Sequence, residues 1–394
     1  MFPFTYLRRH TAMRHLGRRL EKTAKSWLYR AVARSSRPAR PATPDALHGV
    51  QRVLLVRPNF RIGNAVIGAR LIQAFAEARP EIEIDYLGTD TTRALFEGMP
   101  LSRYHALSRS MLVRPWRLAR LLVRLRRRQY DLAIQAGENS LTSWLLVKTC
   151  GARQCLGQRG RLESSYDWVS HASPSHAHQR ASSLAASLGL ACAARPWLVV
   201  SEQERRAAAV RLTGPSGRRA SIGIFVGGHL DKRLPLEFWQ DLLRELERRK
   251  APYLVLLGPE EAALRTPLES AAGGFGRVLA PMPLRDFLGV LANLRCLITP
   301  DTGPMHMAAA LEVPVLALLQ VEKSRKFSPR GPSDSILFQP TPSEVARQVC
   351  TNADLHDQQR DEARSLPRRH DSPAGKCRAK KVENAVSASA VERS

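Results

Sequence analysis

The sequence predicts an α/β protein of two doubly wound, Rossmann-like domains with parallel sheets, facing one another. Three observations predict it. Short apolar runs alternate with helical stretches in two separate series. The 394 residues are too many for one ordinary core and suit two domains of roughly 150 residues each. No run of about 18 apolar residues suggests a membrane span.

Residues 1–48 form a basic arm, rich in Arg and Lys, that ends in the Pro/Ala/Ser stretch SSRPARPATPDA. Leu16, Leu20, Trp27, Leu28 and Val32 recur among its basic residues. The arm therefore reads either as an amphipathic helix for an anionic bilayer or as a solvated, disordered segment. Arginines interrupt the opening too early for a secretory signal, so the chain is expected in the cytoplasm.

The first α/β domain is expected over 49–200. VLLVRP is a short apolar run, followed by the helical stretch AVIGARLIQAFAEARP, the strand IEIDYLG and a helix around TRALFEGM. The basic helix RPWRLARLLVRLRRRQY then leads into the strand DLAIQA. This β-α-β order requires crossover helices between parallel strands. WLVV, near residue 197, reads as one more short strand before a charged helix that holds the linker.

The second domain is expected over 201–350. It contains the strand SIGIFVGG, helix LEFWQDLLRELERRK, strand YLVLLG, helices EEAALRTPLESAA and LRDFLGVLANL, strand CLITP, helix GPMHMAAAL and strand VPVLALL. Residues 351–394 are polar and charge-rich, the composition of a disordered tail.

The formal net charge of +26 directs attention to acidic partners. Arg114, Arg117, Arg120, Arg124, Arg126, Arg127 and Arg128 crowd one helix whose apolar stripe is Leu118, Leu121, Leu122 and Leu125. A solvated face is the commonest fate of such a run. Nucleic-acid binding would use the same charge, but no interleaved aromatics or reading motif supports it. The six cysteines are scattered without a C-x-x-C pair or histidines at zinc spacing, which predicts reduced thiols and no metal. Gly63 and Gly68 after the first strand do not make G-x-G-x-x-G, and neither a P-loop nor a G-x-S-x-G elbow occurs. A dinucleotide-dependent oxidoreductase and a serine hydrolase are thereby disfavoured.

The strongest local signal is CLITPDTGPMHMAAALEVPVLALL. A buried strand ends at Pro300, and Asp301, Thr302 and Gly303 turn the chain into a helix with Pro304 in its first turn. Its free N–H groups and dipole then face the carboxyl end of the sheet, where a pyrophosphate could sit. Thr302 adds a hydroxyl and Gly303 permits close approach. From these residues alone, Asp301 could equally be a cap and His306 a satisfied, partly buried imidazole.

D-T-G-P-M-H, the small-residue helix and V-P-V-L-A-L together resemble the signature of glycosyltransferase family 9, the heptosyltransferase family. VLLVRPNFRIGNAVIGARLIQAFAEARPEIEIDYL is similar to that family's first strand, R-x-G-D turn and first helix. IGIFVGGHLDKRLPLEFWQDLLRELERRKAPYLVLLGPEE is similar to the opening of its second domain, and VEKSRKFSPRGP to its closing loop. The resemblance covers roughly Val50 to Val349. It implies a GT-B fold with the active site in the interdomain cleft.

The resemblance also implies a function: inverting, metal-independent transfer of a sugar, heptose from ADP-heptose, to a lipopolysaccharide-core or related glycan. No cofactor is expected. Asp301, Thr302, Gly303 and His306 would line the nucleotide-sugar pocket, Lys232 would contact the donor phosphates, and Glu260 would take the ribose hydroxyls. Arg61, Arg117, Arg120, Arg124 and Arg127 would face a phosphorylated, carboxylated glycolipid acceptor at the inner face of the cytoplasmic membrane. A monomer is expected.

One position departs from the family. Where the turn after the first strand usually carries the proposed general base Asp, this chain has Asn64. An amide accepts no proton at neutral pH. Glu138 or His229 could serve as base, or Asn64 could only orient the hydroxyl while its proton leaves late. The alternative is a catalytically impaired member that binds nucleotide sugar or acidic glycolipid as an assembly factor.

Overall fold

The computed structural model describes residues 39–351, apart from 113, 138–139, 173 and 214–216. The first sheet contains β1 (Arg40–Pro41), β2 (Arg52–Val56), β3 (Glu83–Thr89), β4 (Arg103–Leu107), β5 (Leu132–Gln135), β6 (Gln154–Gly157) and β7 (Trp168–Val169). Their order is β1-β7-β6-β5-β2-β3-β4, and every pairing is parallel. Between the strands run α1 (Ile62–Ile67), α2 (Arg70–Ala78), α3 (Pro115–Arg126) and α4 (Leu141–Thr149). After β7 come α5 (Gln179–Ser187) and α6 (Glu202–Ala209).

The second sheet contains β8 (Ile222–Phe225), β9 (Tyr253–Leu256), β10 (Gly276–Leu279), β11 (Cys296–Pro300), β12 (Val315–Leu319) and β13 (Ser335–Phe338). It is also parallel throughout, in the order β10-β9-β8-β11-β12-β13. Its helices are α7 (Leu236–Arg248), α8 (Arg265–Ala271), α9 (Leu284–Leu291) and α10 (Gly303–Ala310). Leaving aside the added edge strand β1, both sheets have the strand order of a doubly wound Rossmann fold, with the topological reversal between β2 and β5 and between β8 and β11.

The apolar pattern explains these elements. β2, β5, β9, β11 and β12 are nearly continuous aliphatic runs because helices cover both faces of a parallel sheet. In α7, Phe238, Trp239, Leu242, Leu243 and Leu246 recur at helical spacing and are all buried. At the start of α6, Ser201 accepts from the Glu204 amide while the Glu204 side chain reaches back to Ser201.

Several elements differ from the sequence reading. The first predicted helix divides at Gly68 and Ala69 into α1 and α2. TRALFEGM lies in a 3-10 turn, Asp90–Phe96, and Pro259–Leu264 is likewise 3-10 ahead of α8. WLVV is not a strand, because no neighbour offers it a ladder. Residues 40–47, read as part of the basic arm, pack onto the first sheet: β1 pairs with β7, and Ala42, Ala46 and Leu47 are buried. The expected amphipathic helix in the arm and the tail beyond 351 lie outside the described residues.

Three apolar clusters hold the fold. One lies between α3 and α4 and the first sheet, and another between α7 and the second sheet. The largest joins the two halves, uniting Ala65 and Val66 of α1 with Met305, Met307 and Ala308 of α10. The helices that follow β2 and β11 thus pack on each other. Gly63 permits the contact: a Cβ there would lie 2.5 Å from His306 Cδ2 and 3.4 Å from Gly303 Cα.

Candidate active site

Turns at the carboxyl ends of β8 and β11 bring the strongest candidates together. Asp301 follows β11 directly and is buried; Thr302 is the N-cap of α10, with Gly303 and Pro304 in the first turn. The Thr302 hydroxyl lies 3.0 Å from that of Thr299 and donates to the Pro300 carbonyl at 3.2 Å. After β8 the chain makes a tight turn, in which Leu230 is held at φ 53° and a Cβ on Gly228 would meet the Arg233 Cα at 2.9 Å. A left-handed conformation at a leucine is costly. The turn delivers Lys232, whose Nζ lies 2.5 Å from Asp301 Oδ2 and 5.7 Å from the centre of the Phe327 ring.

His306 lies one turn into α10, buried, with Nε2 4.0 Å from Asp301 Oδ1. Its Nδ1 is 3.1 Å from Nε2 of His178, and the His178 amide donates to His176 Nδ1 at 3.2 Å. Burial, then the Lys232 charge, pushes the His306 pKa down to about 3. Burial similarly takes His178 to about 2 and His176 to about 4. All three imidazoles are neutral at physiological pH.

The first sheet contributes a cavity of about 140 Å³ at its own reversal point, lined by Arg57, Pro58, Asn59, Asn64, Ile67, Gly137, Ser140, Ser143, Ala177, Arg180 and Phe327. Arg57 is buried and donates to the carbonyls of Asn64 at 2.5 Å and Ala136 at 2.6 Å. Its guanidinium thereby ties the β2 turn to the end of β5. Asn64 lines the cavity, and its carbonyl is occupied by Arg57. Phe327 is shared by this cavity and by Lys232.

The other sequence candidates make none of these contacts among the described residues. His229 is exposed at the start of the Lys232 turn, Arg61 is exposed before α1, and Glu138 lies outside the described residues. Glu260 is exposed, whereas its neighbour Glu261 is buried against Gly227 and Gly258 with its pKa raised by burial. Arg117, Arg120, Arg124 and Arg127 are exposed along α3, together with Trp116 and Val123. They are spread out: α3 starts at the carboxyl end of its sheet, and twelve residues carry it about 18 Å toward the opposite end.

Sequence reasoning missed Arg57, His176, His178, Arg180, Glu261 and Phe327. Four of these carried a signal. Arg57 interrupts the apolar run of β2 at its end, and S-H-A-H-Q-R sets two imidazoles and a guanidinium close together in a loop. Phe327 and Glu261 are conspicuous only once burial is known.

A family model described as "Glycosyltransferase family 9 (heptosyltransferase)" matches residues 118–356. The chain is similar to the solved structure of E. coli ADP-heptose LPS heptosyltransferase II, with 20% identity over 78% of this chain and 99% of that one, at a TM-score of 0.64. It is similar to E. coli heptosyltransferase WaaC with ADP at 20% identity, covering 77% and 100% of the two chains, TM-score 0.61. A glycosyltransferase family 9 protein from Veillonella parvula matches at 17% identity, covering 73% and 86%, TM-score 0.62. At such identities the likeness speaks for the fold, which is GT-B: two Rossmann-like domains across a cleft. No curated protein matches the chain.

Proposed function

Because the chain belongs to glycosyltransferase family 9, the heptosyltransferase family, we propose that it transfers heptose from ADP-heptose to a lipopolysaccharide-core or related glycan acceptor. Residues 201–350 take the donor and residues 49–200 the acceptor in this reading. The observation that carries it is the convergence of Lys232, Asp301 and His306 on the first turn of α10. The names of the similar E. coli structures, an ADP-heptose heptosyltransferase and a heptosyltransferase with ADP, support the choice of donor.

As the bond from the anomeric carbon to the diphosphate oxygen breaks, negative charge grows on the leaving group. The Lys232 ammonium and the N–H groups of α10 meet that charge with a fixed cation and fixed dipoles, the role a metal ion has in other transferases. Asp301 aims the ammonium and partly offsets its charge until the diphosphate arrives. Glu261 takes the ribose place first given to Glu260, since it is the acid buried at the ends of β8 and β9.

The acceptor hydroxyl attacks from the face opposite the diphosphate, inverting the anomeric centre, and its proton must leave. Asn64 orients that hydroxyl from the cavity wall, and the proton passes to Glu138 or His229 or departs late. The arginines of α3 draw the protein to the anionic inner face of the cytoplasmic membrane, where an acidic glycolipid would be met.

The test is release of ADP by the purified chain from ADP-heptose in the presence of a heptose-free lipopolysaccharide precursor. Turnover that disappears in Lys232→Ala supports the reading. Absence of ADP binding by calorimetry would remove it.

A further inference from the structure

Among the described residues, His178 meets His306 through a ring-to-ring hydrogen bond, and it comes from the other half of the molecule. It is the N-cap residue of α5, which packs on α2 beside the first sheet, whereas His306 belongs to α10 after the second. Both rings are buried, with His178 Nε2 and His306 Nδ1 3.1 Å apart and the ring planes at 68°. Both imidazoles are neutral, so one proton lies between these nitrogens and each ring has one further nitrogen to be accounted for.

Two arrangements are possible. If His306 Nδ1–H donates, His178 must carry its own proton on Nδ1, a buried nitrogen with no partner. That leaves an orphaned donor, and it also turns the lone pair of His306 Nε2 toward the Asp301 carboxylate 4.0 Å away. If His178 Nε2–H donates, its Nδ1 is an unpaired acceptor, the less costly orphan, and His306 Nε2–H faces the carboxylate. Both comparisons favour the second arrangement.

We infer that His178 is a positioning residue that fixes His306 as the Nε2–H tautomer, making His306 a neutral hydrogen-bond donor to an anionic oxygen of the nucleotide diphosphate. In this form His306 has no free lone pair in the site, so it serves as a donor and not as the general base. The tautomer is set from the acceptor half, so the donor site acquires its hydrogen-bond polarity only when α5 and α10 are together. The assignment to a diphosphate rests on the proposed donor; the tautomer itself does not.

The experiment is two-bond ¹H–¹⁵N correlation on the full chain labelled with ¹⁵N-histidine, with His306 identified by its absence in His306→Gln. The wild type should show His306 protonated at Nε2. His178→Leu should shift His306 toward a mixture, and His178→Gln, whose amide can again donate, should restore the wild-type pattern. ADP affinity should fall about tenfold in His178→Leu and recover in His178→Gln, at similar thermal stability. A wild-type His306 protonated at Nδ1, or an unchanged tautomer in His178→Leu, overturns the proposal. So does an equal loss of ADP affinity in both variants. If the wild type binds no ADP, the donor reading fails while the tautomer measurement still decides this one.

Discussion

Lys232 and Asp301 are the residues whose loss should be felt most directly. In the proposed reaction, removing the ammonium would leave the growing diphosphate charge without its fixed cation, so Lys232→Ala should lower turnover by about 100-fold or more, with little change in acceptor KM. Asn64 gives a sharper question. Asn64→Asp introduces a carboxylate beside the cavity at the reversal point of the first sheet, where Arg57 holds the backbone carbonyl of the same residue. Turnover should rise by about tenfold or more if proton removal limits the natural chain; an unchanged rate would place the base elsewhere. Steady-state ADP release checks both variants.

The three buried imidazoles also make stability depend on pH. Each has a pKa well below the usual 6.5 in the folded state, at about 3, 2 and 4 for His306, His178 and His176. The unfolded chain therefore binds more protons than the folded one below about pH 6.5, and stability falls as pH falls. It is fully present above that pH and is lost as pH falls from about 6.5 through each folded value, about 4 for His176, 3 for His306 and 2 for His178, by up to about 1.4 kcal/mol per pH unit for each histidine. Urea melts at pH 7 and pH 5 should separate, and His178→Leu should narrow the gap.

At the scale of elements, the contact of α1 with α10 is the vulnerable one. A methyl on Gly63 would run into His306, which has no room to retreat within a packed helix pair. Gly63→Ala should cost about 1–3 kcal/mol and also weaken ADP binding, since His306 moves with the helix. Helix α3 behaves in the opposite way. Leu121 and Leu125 anchor it, and its arginines project outward. Replacing Arg120, Arg124 and Arg127 with Gln should change stability by no more than about 0.5 kcal/mol per site, while reducing sedimentation with anionic vesicles. Arg128 differs from these. It pairs with Glu83 and the buried Asp85, which also accepts from Tyr130 and lies 3.0 Å from His105 Nε2. The end of α3 is therefore tied to the first sheet by a buried polar network, and Arg128→Gln should destabilise where its neighbours do not.

For the whole molecule, the decisive feature is a core that runs from one sheet to the other through α1 and α10. The proposed donor nucleotide, bound at the mouth of α10, would stabilise the folded chain by mass action. ADP at a hundred times its Kd should raise the unfolding free energy by about 2.7 kcal/mol, and a thermal melt with and without ADP measures it. Among the described residues no helix is long and apolar enough to cross a membrane.

The alternation of apolar runs and amphipathic stretches was enough to read the α/β class and the parallel sheets, because a strand buried on both faces must be apolar along its length. The turn that carries Asp301, Thr302, Gly303 and His306 was legible because a strand, a turn and a Pro-started helix are local in sequence. Short, mixed strands such as β4, β7 and β13 were not, since two to five residues of mixed polarity give too little apolar pattern to stand out from a loop. By itself, then, the sequence determined the α/β class, the apolar strands at the centre of each sheet, the turn into α10 and the excess of positive charge. Only the tertiary structure decided which of two adjacent acids, Glu260 or Glu261, is buried, that Lys232 pairs with Asp301, and that His178 meets His306. Those contacts join residues 69 and 128 positions apart, and a pairing at that separation is fixed by packing and desolvation, which no local pattern encodes.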